Sequence, residues 1–424
     1  MATTALSPAP VPRRSEPARR TCDALILNAR LRQSLVAVRS LGRRGFHIAA
    51  VDTEDRVPTF ASRWCGEALV VPASEGTEAY LVHLEEVLRS TERPVVISSH
   101  DGTIALMRRH RARLEALAAL ALAPEPALAI AVSKERTLAV ARQLGIPVPR
   151  AAMLRGPGDV VTALRQIGLP AVIKPDESWV PSAAGGASGT WMGPRLVTTA
   201  DEAHRIAASM TDGGGTALYQ QFLTGRREAV SFLLAKGVIH ARFAQWARRT
   251  RPPLGGESII RQSIAIPDDI GGFAESLVQA IGLDGYSEVE FRRDALGVPH
   301  LMEINPRLSA SVEIAVRSGV DFPYLLYQWA AGAPLPSAAG YREGRWMRHL
   351  GGDIMTTIET IGERGRPGIT PPLRALLDFG ASFLTPMSYD YADRHDPRPA
   401  IRASANFTRY AFDRLVTRVR KSFA

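Results

Sequence analysis

Residues 287–307 hold two short runs of alternating polar and apolar side chains, separated by a turn at 295–298. A strand sends successive side chains to opposite faces. In the first arm Glu288, Glu290 and Arg292 share one face, and Val289 and Phe291 take the other. In the second arm Glu303, Asn305 and Arg307 share a face opposed by Met302 and Ile304. Pairing Asp294 with Pro299 across the turn sets Glu290 opposite Glu303. Directly opposed strand residues have Cβ atoms about 4.5–5.5 Å apart, and like charges there repel. A buried carboxylate pair therefore needs a shared proton or a cation. A hard divalent cation takes oxygen ligands, and Asn305 supplies one more. A solvated surface hairpin is the competing reading, and the clean separation of the two faces argues against it.

The chain is long enough, at 424 residues, for two or three structural units. No apolar run approaches the roughly 20 residues that span a bilayer; the longest, 116–123, stops at Pro124. Arg13, Arg14, Arg19 and Arg20 are followed by no apolar segment, so a secretory signal is not expected here. Cys22 and Cys65 cannot build a disulfide framework, so a cytoplasmic setting is the expectation. The net charge of +10 suits anionic partners of several kinds. Zinc spacing, a recognition helix and a basic–aromatic platform are all missing, which argues against nucleic acid.

Residues 1–20 are rich in Pro, Ala, Ser and Arg and read as a disordered basic tail. Strands at 24–27, 46–52, 69–71 and 94–98 alternate with helical stretches, including one near 78–89. That alternation predicts a parallel sheet covered by helices, a Rossmann-like domain over 21–125. Asn28-Ala29-Arg30 follows the first strand in place of a glycine fingerprint, so a dinucleotide site is not expected. His100-Asp101-Gly102 falls just past a strand end, where Asp101 can meet substrate or cap a helix. Ser133 caps a helix that runs to Gly145. A strand ending on Lys174 precedes a loop of Gly, Ala and Ser over 183–190. Strands are expected over 217–223 and 228–234, and a basic loop over 248–263 that carries Arg248, Arg249, Arg251 and Arg261. The last stretch, 407–423, reads as a basic amphipathic helix with Phe412, Val416, Val419 and Phe423 on one stripe. Such a helix packs on its own protein or lies on an anionic membrane surface.

Taken in order, these pieces resemble the ATP-grasp superfamily over residues 24–330. Ser133-Lys134, the Lys174 strand, the Gly-rich loop, Tyr219-Gln220-Gln221-Phe222-Leu223-Thr224-Gly225 and the Glu290/Glu303/Asn305/Arg307 set carry the resemblance. It implies a fold both α/β and α+β. A Rossmann-like pre-ATP-grasp domain would precede a two-lobed ATP-grasp domain over 126–335, with a small lobe at 150–222 and a larger one at 223–335. A C-terminal extension, 336–424, would follow.

The resemblance also implies roles. Lys134 and Lys174 would reach the phosphates of ATP as flexible point charges. Gly186, Ser188 and Gly189 would turn backbone N–H groups toward phosphate oxygens. Gln220, Gln221 and Leu223 would hold adenine, with glutamine where the family usually has glutamate, and Glu228 would meet the ribose. Glu290, Glu303 and Asn305 would bind Mg²⁺, or Mn²⁺ in its place. Lys174 would be a catalytic residue beside Arg307, which would stabilise the transferring phosphoryl group, and Arg261, with its basic loop, would orient the acidic substrate and the acyl phosphate. The implied activity is a carboxylate–amine ligase that passes through an acyl phosphate. A catalytically silent nucleotide-binding module and a biotin-carboxylase-like subunit are the alternatives. A small carboxylate and an amine acceptor would be the partners beside ATP. An oligomer and a peripheral membrane contact through the terminal helix are both compatible with the sequence.

Overall fold

The structure, a computed structural model, describes residues 21–181, 189–336 and 340–422. The N-terminal tail 1–20 and the expected phosphate-loop residues Gly186 and Ser188 lie outside the described residues.

The first unit is a parallel sheet in the order β3-β2-β1-β4-β5. Its strands are β1 (Ala24–Ile26), β2 (Ile48–Asp52), β3 (Glu67–Val70), β4 (Val95–Ile97) and β5 (Ala119–Leu120). Strands β1, β2 and β4 are buried throughout, as continuous apolar runs between helical layers must be. Helix Asp101–Arg109 starts just past the carboxyl end of β4. His100 is the N-cap and makes no side-chain cap bond, so Asp101 is the first helical residue rather than the cap.

Helix Lys134–Gln143 leads out of this unit. Ser133 Oγ accepts from Arg136 N–H at 3.2 Å, and Gly145 adopts a left-handed conformation beyond the last turn. A small antiparallel sheet follows in the order β10-β7-β11-β6. It comprises β6 (Ala151–Leu154), β7 (Ala171–Pro175), β10 (Arg195–Val197) and β11 (Ala217–Gln221). A separate ribbon of β8 (Trp179–Pro181) and β9 (Gly189–Trp191) extends from it.

The largest sheet has seven strands, ordered β16-β15-β12-β13-β14-β17-β18. These are β12 (Arg227–Ala235), β13 (Val238–Arg251), β14 (Glu257–Ile264), β15 (Gly285–Arg293), β16 (Pro299–Asn305), β17 (Trp346–Arg348) and β18 (Ser388–Tyr389). Two expectations change here. The stretch 248–263 is not a loop: all but its tip lies in β13 and β14. Register shifts between Ala247 and Thr250 break the two-residue period, which hides the strands from a pattern search. The chain after 335 is no mere appendage either, since β17 and β18 complete the sheet.

The terminal helix runs Arg398–Ser422, longer than the expected 407–423. Phe407 packs against Gly351, and Asn406 Nδ2 donates to Arg56 O at 2.8 Å, so the helix is seated on its own chain. Phe412 is exposed, while the side chains of Val416, Val419 and Phe423 lie outside the described residues. No helix among the described residues is long and apolar enough to cross a membrane.

Candidate active site

Strands β15 and β16 pair antiparallel, with Glu290 opposite Glu303 and Glu288 opposite Asn305. The turn differs from the expected one. Arg293, not Asp294, pairs with Pro299, and a bulge between Glu290 and Phe291 restores the register. Met302 is the extra residue. A bulged residue drops out of the ladder and leaves its backbone groups free. Lys174 uses that: its Nζ donates to Met302 O at 3.0 Å, tying the small sheet to the hairpin. Lys134 Nζ, from the helix start, donates to Asp176 O at 3.1 Å and sits 3.8 Å from Glu303 Oε2.

The two carboxyls respond in opposite directions. Burial pushes Glu290 up to about 7; Glu303 and Glu288 add to the rise, and Arg227 opposes it. Burial would raise Glu303 too, but Lys134, Lys174, Arg227 and Arg307 outweigh it and hold it below the usual carboxylate range. Burial is also the main reason that Lys174 is pushed down to about 8, with Lys134 adding to it and Glu303 resisting. Like charges this close favour one carboxyl taking a proton while the other stays ionised. Asn305 Nδ2 donates to Glu290 Oε1 at 3.1 Å, which turns its carbonyl oxygen away from that acid.

The residues are of the kind a magnesium-like ion takes, two carboxylates and one amide on a single ribbon face, with the Asn305 oxygen available once its amide turns over. No cluster of three or more His, Cys, Asp or Glu side chains among the described residues could hold a metal by itself.

Gln220 lies opposite Val172 on β7 and so shares the face that carries Lys174. Its side chain is fully buried, yet neither Nε2 nor Oε1 has a hydrogen-bond partner among the described residues. A buried amide left unpaired costs about 1–3 kcal/mol, and a ligand with a matching donor and acceptor removes that cost. Gln221 is engaged with Arg150, whose N–H reaches its Oε1 at 3.4 Å. Leu223 is buried in the segment between β11 and β12. Gly189 opens β9. A cavity of about 350 Å³ begins just beyond this segment, against Thr224, Arg227, Arg292, Leu254, Thr356 and Ile369.

Two expected residues are placed elsewhere. Arg261 shares a cross-strand row with Ala247 and Arg227, but it is fully buried and both its terminal nitrogens bond Asp390, at 3.0 and 2.5 Å. Its charge is taken up by Asp390, which departs from the free cation expected in a basic loop. Glu228 pairs with Phe291 and Trp246, on the face opposite Glu290, and its carboxylate is taken by Arg293 at 2.6 Å and Arg226 at 3.2 Å. The expected basic loop is likewise largely neutralised, with Arg249 on Asp353 at 2.5 Å and Arg251 on Glu359 at 3.0 Å.

The sequence does not single out Arg227, and it offers Asp101 without its partner. Arg227 grips both oxygens of Glu290, at 2.9 and 2.6 Å. Its signal was the two-residue period of β12, which is legible only once that strand is known to pair with β15. Asp101 holds Arg307 by two hydrogen bonds, to Nε and, at 3.1 Å, to Nη2. Its place after a strand end was visible, but not its partner 206 residues away.

Residues 234–349 match the family described as "ATP-grasp in the biosynthetic pathway with Ter operon". The chain is 26% identical over 219 residues to a D-alanine–D-alanine ligase of Chromohalobacter salexigens, covering 47% of this chain and 64% of that one. The match thus spans less than two thirds of that relative's length. Among solved structures, biotin carboxylase from Campylobacter jejuni superposes with a TM-score of 0.61 at 17% identity, covering 76% of this chain and 74% of that one. L-amino acid ligase from Bacillus licheniformis superposes with a TM-score of 0.56 at 19% identity, over 78% and 79% of the two chains. The parallel first sheet, the small antiparallel sheet and the large sheet bearing an acidic hairpin, together with these likenesses, show that the chain has the ATP-grasp fold.

Proposed function

We propose that the protein is an ATP-dependent carboxylate–amine ligase. The carrying observation is the cross-strand pair Glu290/Glu303 facing Lys134 and Lys174. ATP would place its adenine against Gln220 and the segment ending at Leu223, and its phosphates between the two lysines and the hairpin. Glu290, Glu303 and Asn305 would hold Mg²⁺ or Mn²⁺, which supplies charge neutralisation to the phosphates. Lys174 and Lys134 hold the polyphosphate, and Arg307 faces the group in transfer. A carboxylate oxygen attacks the γ-phosphorus and ADP leaves. The amine nitrogen then attacks the acyl carbon, inorganic phosphate leaves, and one proton is released. Positioning and charge do the catalysis, so no protein nucleophile is needed.

The test is ADP release from MgATP with panels of carboxylates and amines, including D- and L-amino acids. Release that requires both a carboxylate and an amine supports the proposal. Release driven by bicarbonate alone would instead favour the carboxylase-like chemistry of the biotin carboxylase likeness. No release with any pair, from protein that binds MgADP, would mark a silent nucleotide-binding module.

A pH dependence follows from the two displaced groups. Glu290 must lose its proton to accept a cation, so MgADP affinity rises by up to about tenfold per pH unit until about pH 7. Above about 8, Lys174 loses its charge and its grip on phosphate weakens. Calorimetric titration of MgADP is therefore expected to show an affinity maximum between these two values. In Glu290→Gln the acid limb should vanish; its persistence there would assign that limb to another group.

A further inference from the structure

The first turn of helix Asp101–Arg109 belongs to the N-terminal domain, yet it touches both other parts of the site. Asp101 takes Nε and Nη2 of Arg307, which lies two residues beyond the end of β16. The neighbouring residues seat the small lobe. A Cβ on Gly102 would lie 2.6 Å from Cε3 of Trp179, one on Gly76 would lie 2.8 Å from its Cζ2, and His100 meets the same indole edge-on at 5.5 Å. Trp179 belongs to β8, the ribbon strand before the glycine-rich segment.

We propose that Asp101 is the positioning residue for Arg307, so that the N-terminal domain completes the phosphoryl-transfer centre. This rests on the ligase reading. A guanidinium has five N–H donors in a fixed plane. Clamping Nε and one edge of Nη2 fixes that plane and leaves Nη1, which has no hydrogen-bond partner among the described residues, as the presenting edge. Asp101 lines one cavity with Lys134, Glu303 and Asn305, so the clamp stands at the edge of the metal pair. A free arginine on a chain turn would sample many rotamers, and each costs alignment with the group in transfer. Asp101 itself is held ionised against its burial, chiefly by Arg307. A two-hydrogen-bond ion pair at this spot therefore orients rather than reacts.

The experiment is a double-mutant cycle on the full chain with Asp101→Asn, Arg307→Gln and the pair, plus Asp101→Glu. Turnover is read as ADP release with the best carboxylate–amine pair. Asp101→Asn is expected to lower kcat by about 10–100-fold, with KM for ATP within about threefold. Asp101→Glu should recover part of the loss. In the Arg307→Gln background, Asp101→Asn should cost less than about twofold more, because its effect runs through Arg307. Additive losses, or a change in KM alone, would overturn the proposal and leave Asp101 a domain-interface residue.

Inorganic phosphate binding in the presence of saturating MgADP gives a second arm that needs no turnover. Asp101→Asn and Arg307→Gln should each weaken phosphate by about five- to tenfold, non-additively, with MgADP affinity unchanged. Intact phosphate affinity in Asp101→Asn would overturn the proposal even if the ligase reading holds. Absent turnover with this phosphate pattern would sink the ligase reading and keep the positioning role. Should Asp101→Asn fail to fold, the same cycle with Asp101→Glu decides, since a longer carboxylate keeps the charge and displaces the clamp.

Discussion

Glu303→Gln is expected to lower MgATP turnover by on the order of 10²–10³, the range found when one preorganised charge contact to the reacting group is removed. The substitution keeps the shape and removes one charge. Glu303 is the carboxylate that Lys134, Lys174 and Arg307 hold ionised. Without it, Lys174 is left with Glu290 as its acid on the hairpin, and Glu290 is already shifted toward its neutral form. Cation binding then loses its better ligand. Glu290 also loses a like-charge neighbour, so its carboxyl should move back down. Lys174 should move further down, because Glu303 is the strongest of the charges that keep it protonated. The optimum between the two titrations should shift to lower pH as a result. The fold should stay intact, since the Glu303 side chain is 30% exposed and its ion pair among the described residues, to Lys134, spans 3.8 Å. Steady-state ADP release, MgADP calorimetry and a thermal melt together check this. Turnover within tenfold of the unsubstituted protein would remove the hairpin from the mechanism.

The acidic ribbon was legible in the sequence because one face of each arm is wholly polar and the other wholly apolar. That pattern survives small errors of register: the turn is off by one residue, yet Glu290 still meets Glu303 because a bulge at Met302 absorbs the slip. The buried parallel strands were equally legible, as short apolar runs between helices. Lys134 and Lys174 were found by their contexts, a capped helix start and a strand end. What failed were inferences that depended on partners distant in sequence. Arg261 reads as a free cation in the chain, and only Asp390, 129 residues later, shows that its charge is spent. Glu228 reads as an available carboxylate until Arg293 closes on it. Arg227 is marked only by the period of a strand whose pairing the chain does not show, and Asp101 by its place after a strand end but not by its partner. A sequence displays which charges exist; which of them are already paired is settled by long-range packing.

Asp390→Ala should be the most destabilising single substitution of a charge in the C-terminal part, by about 3–5 kcal/mol, the cost of leaving a buried charge unpaired. Asp390 joins three segments. Arg261 of β14 bonds it twice, and Arg32, at the start of helix Arg32–Gly42, donates to its Oδ2 at 2.6 Å. Arg261 is wholly buried and Arg32 nearly so, which means that neither guanidinium can turn to water when the carboxylate is gone. Glu257, 2.8 Å from Arg32, compensates only one of them. Burial would raise Asp390, but the two arginines, Arg261 first, hold it far below the usual carboxylate range. A depressed carboxyl stabilises the fold above its unfolded value, near 3.9, and that contribution is lost only as pH falls through the lower folded value. The tie should therefore persist below pH 4, where exposed acid pairs have let go. Asp393→Ala is the contrast: Arg43, its partner, has a 38% exposed side chain, and the cost should stay below about 1 kcal/mol. Denaturant midpoints for the two variants, with hydrogen exchange of helix Arg32–Gly42, separate the cases. Equal midpoints would mean that the C-terminal segment rests on the sheet without holding it. A larger loss in Asp390→Ala, with early exchange of that helix, would show that the extension clamps the N-terminal domain to the sheet whose far edge carries the acidic hairpin.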